Sequence, residues 1–269
     1  MLFTLVKPFL VAAFKRNPAV SRFALLRALV TLALSKRFGK KTGSVHVRLG
    51  RFIIHAPDHA VASQLIKEKF VDQEYHFAAS IKSPVIIDCG ANIGISALYF
   101  RSLFPDAVIH CFEPYSKALY FLRRNIEENK LNNVFIHENA LSNVDRAMTL
   151  HVADSVINAS LEATNRNALT EEVRATRLSG FLQRFENIEL VKIDVEGAEI
   201  DILSDLEHHE TLQSGKIRQF IIEFHRSMHG ADRLEQFIAL LKRHRYRATS
   251  KILFPKNPGS DIMIYAVKS

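Results

Sequence analysis

The spacing of hydrophobic positions changes repeatedly along the chain after residue 84. Short apolar stretches of strand length alternate with longer stretches in which apolar residues recur every three or four positions, as in an amphipathic helix. Core strands are predicted to run into Asp88 and to cover residues 107–112, 133–137, 188–193 and 217–224. Helices are predicted over 94–103, 115–129, 178–185 and 231–243. This alternation is typical of an α/β fold with a mostly parallel sheet.

Two apolar stretches close the chain without a helix between them. Strands are predicted over 246–253 and 261–267, joined by a loop that contains Pro258 and Gly259. Strands joined without a crossover helix pair antiparallel, so the sheet should finish antiparallel. Residues 148–152 are predicted as an edge strand, and the polar segment 154–170 is predicted as a loop.

A separate N-terminal region precedes this pattern. Ser21 is placed to cap a helix that runs to about Arg37, and two short alternating stretches on either side of Leu49 and Gly50 predict a hairpin. Residues 60–80 are predicted to be helical and to lead into the core, with their aromatic side chains packing there or forming a lid. We therefore expect a helical arm and hairpin at 1–57 and one main domain at 58–269.

The charge of the chain is concentrated in that arm. The sequence has 36 Lys or Arg and 28 Asp or Glu, a net charge of +8. Residues 1–57 contain 11 of the basic residues and no acidic residue, and the rest of the chain has 25 basic and 28 acidic residues. The main domain is therefore close to neutral, which argues against nucleic acid as a partner.

The role of the arm stays open at the level of sequence. Neither of its apolar stretches reaches the roughly 18–20 uninterrupted residues that span a bilayer. Residues 1–41 suit peripheral contact with an anionic membrane, a targeting segment, or helices that pack on the main domain or on a second copy. The two cysteines, Cys89 and Cys111, imply no disulfide framework and favour a reducing, cytoplasmic location.

The loop after the first core strand carries the first candidate chemistry. Asp88, Gly90, Asn92 and Gly94 follow the spacing D-x-G-x-N-x-G, which differs from the dinucleotide pattern G-x-G-x-x-G. The glycines permit a tight turn and close approach of a ligand to the free N–H groups of the next helix. A carboxylate here repels a pyrophosphate but suits the cationic S-adenosylmethionine. The alternative is an ordinary turn that needs glycine only for its geometry.

Two further residues end neighbouring strands. Glu113 lies 23 residues after Gly90, a distance at which an acid can accept hydrogen bonds from ribose hydroxyls. Asn139 follows the third strand and can contact an adenine edge through its amide. The alternatives are an exposed turn acid for Glu113 and a turn asparagine for Asn139.

Four motifs together resemble the FkbM family of S-adenosylmethionine-dependent methyltransferases. They lie at residues 87–94, 112–114, 139–142 and 192–199, and the last of them, K-I-D-V-E-G-A-E, is the most specific. The resemblance covers roughly residues 60–267. It implies a Rossmann-like class I methyltransferase with a seven-stranded sheet and an antiparallel last strand. It carries over Asp88, Gly90, Asn92, Gly94 and Glu113 as cofactor residues.

The candidate catalytic residues follow the fourth and fifth core strands. Members of the family mostly methylate hydroxyl oxygens, often on sugars or polyketide-type products, and a hydroxyl needs a base or a metal to become nucleophilic. Asp194 and Glu196 are the first and second choices for the transfer centre. His225 suits a general base that titrates near neutral pH. Glu199 and Glu223 also fit by position, but Glu199 falls in the first turn of the next helix, where an acid stabilises the helix dipole in any case.

A metal is possible at the same place but is not favoured. Asp194, Glu223 and His225 have suitable ligand atoms, as in metal-dependent oxygen methyltransferases of the catechol type. The acid-and-amide pair of those enzymes is missing here, which disfavours a metal, and the sequence leaves metal dependence open.

The sequence thus predicts an O-methyltransferase that acts on a sugar, a glycolipid or another small hydroxylated acceptor. Two other functions stay open: a non-catalytic, membrane-recruited binding module with the same fold, and an RNA methyltransferase. The RNA hypothesis rests only on the basic arm, and no N-P-P-Y-type motif of base-nitrogen methylation follows the fourth strand. The sequence makes no prediction of the acceptor or of the oligomeric state.

Overall fold

The computed structural model describes residues 20–38, 43–152, 159–161, 169–253 and 260–269. The first apolar stretch of the arm, most of the predicted loop at 154–170 and the loop between the last two strands lie outside these residues. The described chain forms two compact units that are interleaved in sequence. The first comprises the described residues up to Ser83, Ala91–Ala107 and Ser116–Val134, and the second comprises Pro84–Gly90, Val108–Tyr115 and the described residues after Val134.

The first unit contains four helices and a hairpin in its described part. They are α1 (Arg22–Phe38), β1 (Val45–Leu49), β2 (Phe52–Ala56), α2 (His59–Ile66), α3 (Ile95–Leu103) and α4 (Ser116–Glu128). The cap predicted for the arm helix is confirmed, because Ser21 Oγ accepts a hydrogen bond from Ala24 N at 3.2 Å. The predicted hairpin is confirmed as the antiparallel pair β1–β2. No described helix is long and apolar enough to cross a membrane.

Two asparagines of α4 join the hairpin to that helix. Asn125 is fully buried; its amide nitrogen donates to the carbonyls of His55 and Ile93, and its oxygen accepts from His55 N. Asn129 makes the same pair of bonds to the backbone of Ile53. The edge of β2 is therefore satisfied by side chains of a helix, which fixes the hairpin within this unit.

The helix predicted over 60–80 is shorter in the structure. α2 ends at Ile66, a π-helical turn continues to Val71, and the residues beyond are not helical. Gln73 has a φ of +54°, which a right-handed helix does not allow. The aromatic residues of this segment pack in the core of the unit: Phe70 meets Tyr99 edge to face, and Tyr75 stacks on Phe100.

The second unit contains the main sheet. Its seven strands are β3 (Val85–Cys89), β4 (Val108–Phe112), β5 (Val134–His137), β10 (Ile188–Ile193), β11 (Ile217–Phe224), β12 (Tyr246–Ile252) and β13 (Ile262–Lys268). Their order is β12-β13-β11-β10-β3-β4-β5. β13 is antiparallel to both of its neighbours, and β10 is parallel to β3 and β11. The predicted seven-stranded sheet with an antiparallel last strand is confirmed.

Four helices of the second unit also have defined bounds. They are α5 (Leu178–Leu182), α6 (Glu199–His208), α7 (Arg226–His229) and α8 (Ala231–Arg243). All six residues of β10 are buried, so this strand lies in the core. Parallel strands leave their carboxyl ends at one edge of the sheet, and the segments after β3, β4, β10 and β11 therefore share that edge.

A second, four-stranded sheet was not predicted. β6 (Ala140–Ser142), β7 (Arg146–Val152), β8 (Ala159–Ser160) and β9 (Leu169–Arg177) form it in the order β6-β9-β7-β8. The prediction of an edge strand at 148–152 is wrong in one respect, because β7 pairs on both sides. β9 carries charged residues on its exposed face and buries only Val173 and Ala175, which gives it a weak hydrophobic pattern.

Candidate functional site

The end of β3 approaches the end of β10 closely. Asp194 N donates to Cys89 O at 3.1 Å, and a Cβ added to Gly90 would lie 1.8 Å from the carbonyl oxygen of Asp194. Gly90 also has a φ of +79°. Glycine is therefore required here by the neighbouring strand, so its presence alone does not indicate a ligand.

Asp88 is buried beneath this turn and paired with a lysine. Its side chain is 0% exposed, and Lys192 Nζ lies 3.1 Å from Asp88 Oδ1. The Lys192 ammonium also donates to the carbonyls of Cys89 and Gly90 at 3.1 and 2.6 Å. The charge of Asp88 is thus enclosed and compensated, and its predicted cofactor role stays a prediction. Lys192, which carried no predicted role, anchors the turn.

Glu113 and Asn139 lie after β4 and β5, where they were predicted. Glu113 is buried, and its Oε1 accepts a hydrogen bond from Tyr115 N at 2.9 Å. Asn139 is half-buried, and its amide lies 3.5 Å from the carbonyl of Arg174. Both side chains therefore contact the backbone, as residues in turns commonly do. The ribose and adenine roles therefore stay predictions.

Asn92 and Gly94 belong to the first unit. Asn92 has a φ of +50°, and its Oδ1 accepts from Ile93 N at 2.7 Å. Gly94 begins α3 with a φ of +85°, and a Cβ there would lie 2.6 Å from Cδ1 of Leu122. Both residues adopt the left-handed conformation that the tight turn requires.

A cluster of acids and histidines forms at the ends of β10 and β11. Glu199 is 0% exposed, and its carboxylate lies 2.7 Å from both His225 Nδ1 and His229 Nε2 and accepts from Gly197 N at 3.0 Å. The other ring nitrogen of His225 lies 3.4 Å from Glu196 and 3.9 Å from Asp194. The side chains of Asp194 and Glu196 are 22% and 25% exposed, so they are the members of the cluster that a ligand can reach.

The charges of this cluster are strongly coupled. Burial alone would lower the pKa of His225, but its hydrogen bond to Glu199 and the charges of Glu199, Glu196 and Asp194 raise that pKa well above its usual value. The expectation that His225 titrates near neutral pH is therefore wrong. Burial would raise the pKa of Glu199, yet the hydrogen bonds from His225 and His229 outweigh it and lower this pKa to about 2.

Glu196 is the acid whose pKa approaches neutrality. Burial raises its pKa to about 7, the charge of His225 opposes the rise, and the charge of Asp194 adds to it. Its backbone has a φ of +53°, and its carbonyl accepts a 2.6 Å hydrogen bond from Ser160 Oγ. A carboxylate with this pKa and partial exposure can take a proton from a bound group near pH 7.

Two overlapping groups have the ligand atoms that a metal ion needs. One group comprises Asp194, Glu196 and His225, and the other comprises Glu223, His225 and Asp261. The predicted set of Asp194, Glu223 and His225 is not one of them. Each group combines one ring nitrogen of His225 with carboxylate oxygens from two acids. Such a set of donor atoms suits a divalent cation.

Two members of this site, His229 and Asp261, carried no prediction. Glu199 was a candidate by position, with the helix dipole as its alternative role, and in the structure it contacts two histidines. The four-residue spacing of His225 and His229 is a signal that was available, because it places both rings on one side of a helical turn.

Comparison with known proteins agrees with the fold and the motifs. The family model described as "Methyltransferase FkbM domain" matches residues 88–248. A "Methyltransferase sdnD" of Sordaria araneosa is 30% identical over 203 residues, which cover 62% of this chain and 78% of that protein. A "Methyltransferase 1" of Beauveria bassiana is 29% identical over 163 residues, which cover 52% and 66%.

A bacterial relative has a more specific name. The "2-O-methyltransferase NoeI" of Sinorhizobium fredii is 30% identical over 139 residues, which cover 45% of this chain and 56% of that protein. The match spans little more than half the length of this relative and just under two thirds of the length of the Beauveria protein.

The sheet topology and the family match together define an S-adenosylmethionine-dependent methyltransferase of the Rossmann-like class. The chain belongs to the FkbM methyltransferase family.

Proposed function

We propose that the chain transfers a methyl group from S-adenosylmethionine to a hydroxyl oxygen of a sugar, a glycolipid or another small acceptor. The observation that carries this proposal is Glu196, a reachable carboxylate with a pKa of about 7 at the carboxyl edge of the sheet. The name of the Sinorhizobium relative, a 2-O-methyltransferase, supports an oxygen acceptor.

The proposed cofactor residues keep their predicted identities. Glu113 accepts hydrogen bonds from the ribose hydroxyls, and Asn139 contacts the adenine edge. Asp88 acts indirectly, because its ion pair with Lys192 holds the turn at Gly90. Asn92 and Gly94 are proposed on the motif alone.

In the proposed mechanism, Glu196 takes the proton of the acceptor hydroxyl. S-adenosylmethionine, when bound, would supply the methyl group that this oxygen receives. Asp194 orients the hydroxyl beside it. The raised pKa of His225 keeps its ring protonated near pH 7, so it does not serve as the base. It is a positioning residue that Glu199 holds in place, and its positive charge opposes the rise in the pKa of Glu196, so this carboxylate is ionised at a lower pH than burial alone would allow.

This mechanism requires no metal, although Asp194, Glu196 and His225 are the residues that would hold a divalent cation. Such an ion would acidify the hydroxyl in place of a base. A cytoplasmic location is also proposed, since Cys89 and Cys111 are both free and buried.

The test uses the full chain, methyl-labelled S-adenosylmethionine and a panel of monosaccharides, oligosaccharides, glycolipids and RNA. We expect label on hydroxylated sugars or lipids, undiminished after dialysis against a chelator. Glu196→Gln should lower kcat by roughly 10²–10⁴-fold and remove the rise of kcat near pH 7, because the variant has no titrating base.

Glu186→Gln is the matched control, since this exposed acid precedes β10 and lies at its amino end. It should retain full activity. Label on RNA alone would contradict the proposed acceptor class. An unchanged pH profile in Glu196→Gln would contradict its role as base, and activity lost with the chelator and restored by a divalent cation would replace that role with metal binding.

A further inference from the structure

The arm helix α1 is apolar on two sides, and within the described part of the chain only one of these sides is covered. Leu25, Ala28, Leu29 and Leu32 are buried against α2 and β1. A second set of apolar residues is exposed on the other side of the helix: Phe23 74%, Leu26 41%, Val30 39% and Leu34 53%. Their spacings of three, four and four residues place them in one stripe along the helix axis.

Basic side chains flank this apolar stripe. Arg22 and Arg27 are exposed, and at 100° per residue they fall on opposite borders of the stripe. The first turn of α1 contains no acidic residue, and none occurs anywhere in residues 1–57. An exposed apolar strip between cations, in a segment free of acids, is the arrangement of a helix that lies in a membrane interface.

We infer that α1 binds the surface of an anionic membrane through Phe23, Leu26, Val30 and Leu34, with Arg22 and Arg27 at the lipid headgroups. Charge decides between the possible occupants. A second copy of this chain would bring another set of arginines to the same face, and the segment 1–19 is itself basic and acid-free. An anionic lipid surface offers acyl chains to the apolar stripe and negative headgroups to the arginines at its borders.

The inference does not depend on catalysis, and its test needs no acceptor. The full chain is mixed with sedimentable vesicles of neutral lipid alone or of neutral lipid with anionic phosphatidylglycerol. We expect the protein to pellet with the anionic vesicles, to pellet at least tenfold less with neutral ones, and to be released as salt is raised.

A double variant, Phe23→Asp with Leu34→Asp, should lower pelleting at least tenfold. The matched control is Leu169→Asp, because Leu169 is 74% exposed like Phe23 but lies on β9 in the other unit. It should pellet like the unchanged chain. Circular dichroism and the unfolding midpoint verify that each variant is folded.

Three outcomes would overturn the inference. The unchanged chain does not pellet with anionic vesicles, or the folded double variant pellets as well as the unchanged chain, which would assign the contact to residues other than the stripe. In the third outcome, analytical ultracentrifugation shows a dimer that the double variant converts to monomer without any vesicle binding, which would make the stripe an interface between copies.

Discussion

At the scale of single residues, Gly90 is fixed by the approach of a neighbouring strand. Gly90→Ala should lower the free energy of unfolding by more than about 3 kcal/mol, because the added Cβ meets the Asp194 carbonyl and the φ of +79° is strained for alanine. Urea unfolding followed by circular dichroism measures the loss.

Gly215→Ala separates the two causes. Gly215 has a φ of +77°, but a Cβ there would have no atom within 4 Å, so only the strain of about 1–2 kcal/mol is expected. Equal losses in the two variants would mean that the contact with Asp194 contributes nothing.

The strand ends at which the candidate residues lie could be predicted from the sequence. The side chains that each of them contacts could not. Asp194, Glu196 and His225 were each predicted separately, and the structure brings both acids within 4 Å of the His225 ring. Their charge states could not be predicted, because they depend on Glu199 and on burial. Likewise the pairing of Asp88 with Lys192 depends on the register between β3 and β10, which are far apart in sequence.

At the scale of elements, the fully buried amide of Asn125 on α4 holds the hairpin in place. Asn125→Ala should lower the free energy of unfolding by about 2–3 kcal/mol, because the backbone groups of His55 and Ile93 lose a partner in a buried place. Thermal or urea unfolding measures it.

Asn129→Ala is the control for that prediction. Asn129 makes equivalent bonds to Ile53 but is only partly buried, so water can replace its amide and the loss should be smaller. A loss as large as that of Asn125→Ala would contradict the importance of burial.

Elements with a strong hydrophobic period were predicted well, and the rest were not. The core strand at 217–224 and the helix at 231–243 have the predicted bounds. β9 was not predicted because it buries only two side chains, both small or medium in size, and its hydrophobic pattern is therefore weak. Its pairing with β7 and β6 is decided by tertiary contacts. The helix predicted to continue to residue 80 ends at Ile66 and is followed by a π-helical turn to Val71, although the sequence has no Gly or Pro between residues 60 and 80 to mark this end.

At the scale of the whole molecule, the family and fold were within reach of the sequence, and the acceptor was not. The four motifs lie at or beside the ends of strands, where backbone geometry restricts which residues fit. The predicted boundary at residue 57 between arm and main domain stays a prediction.

The central claim is that this chain binds S-adenosylmethionine with Glu113 on the ribose. Isothermal titration with S-adenosylhomocysteine tests it most directly. The unchanged chain should bind, and Glu113→Gln should bind roughly tenfold or more weakly, since a charged hydrogen bond is worth about 1.5–3 kcal/mol. The glutamine oxygen can still accept from Tyr115 N, so the turn is kept. Glu186→Gln should bind normally. No binding by the unchanged chain, or equal binding by folded Glu113→Gln, would contradict the account.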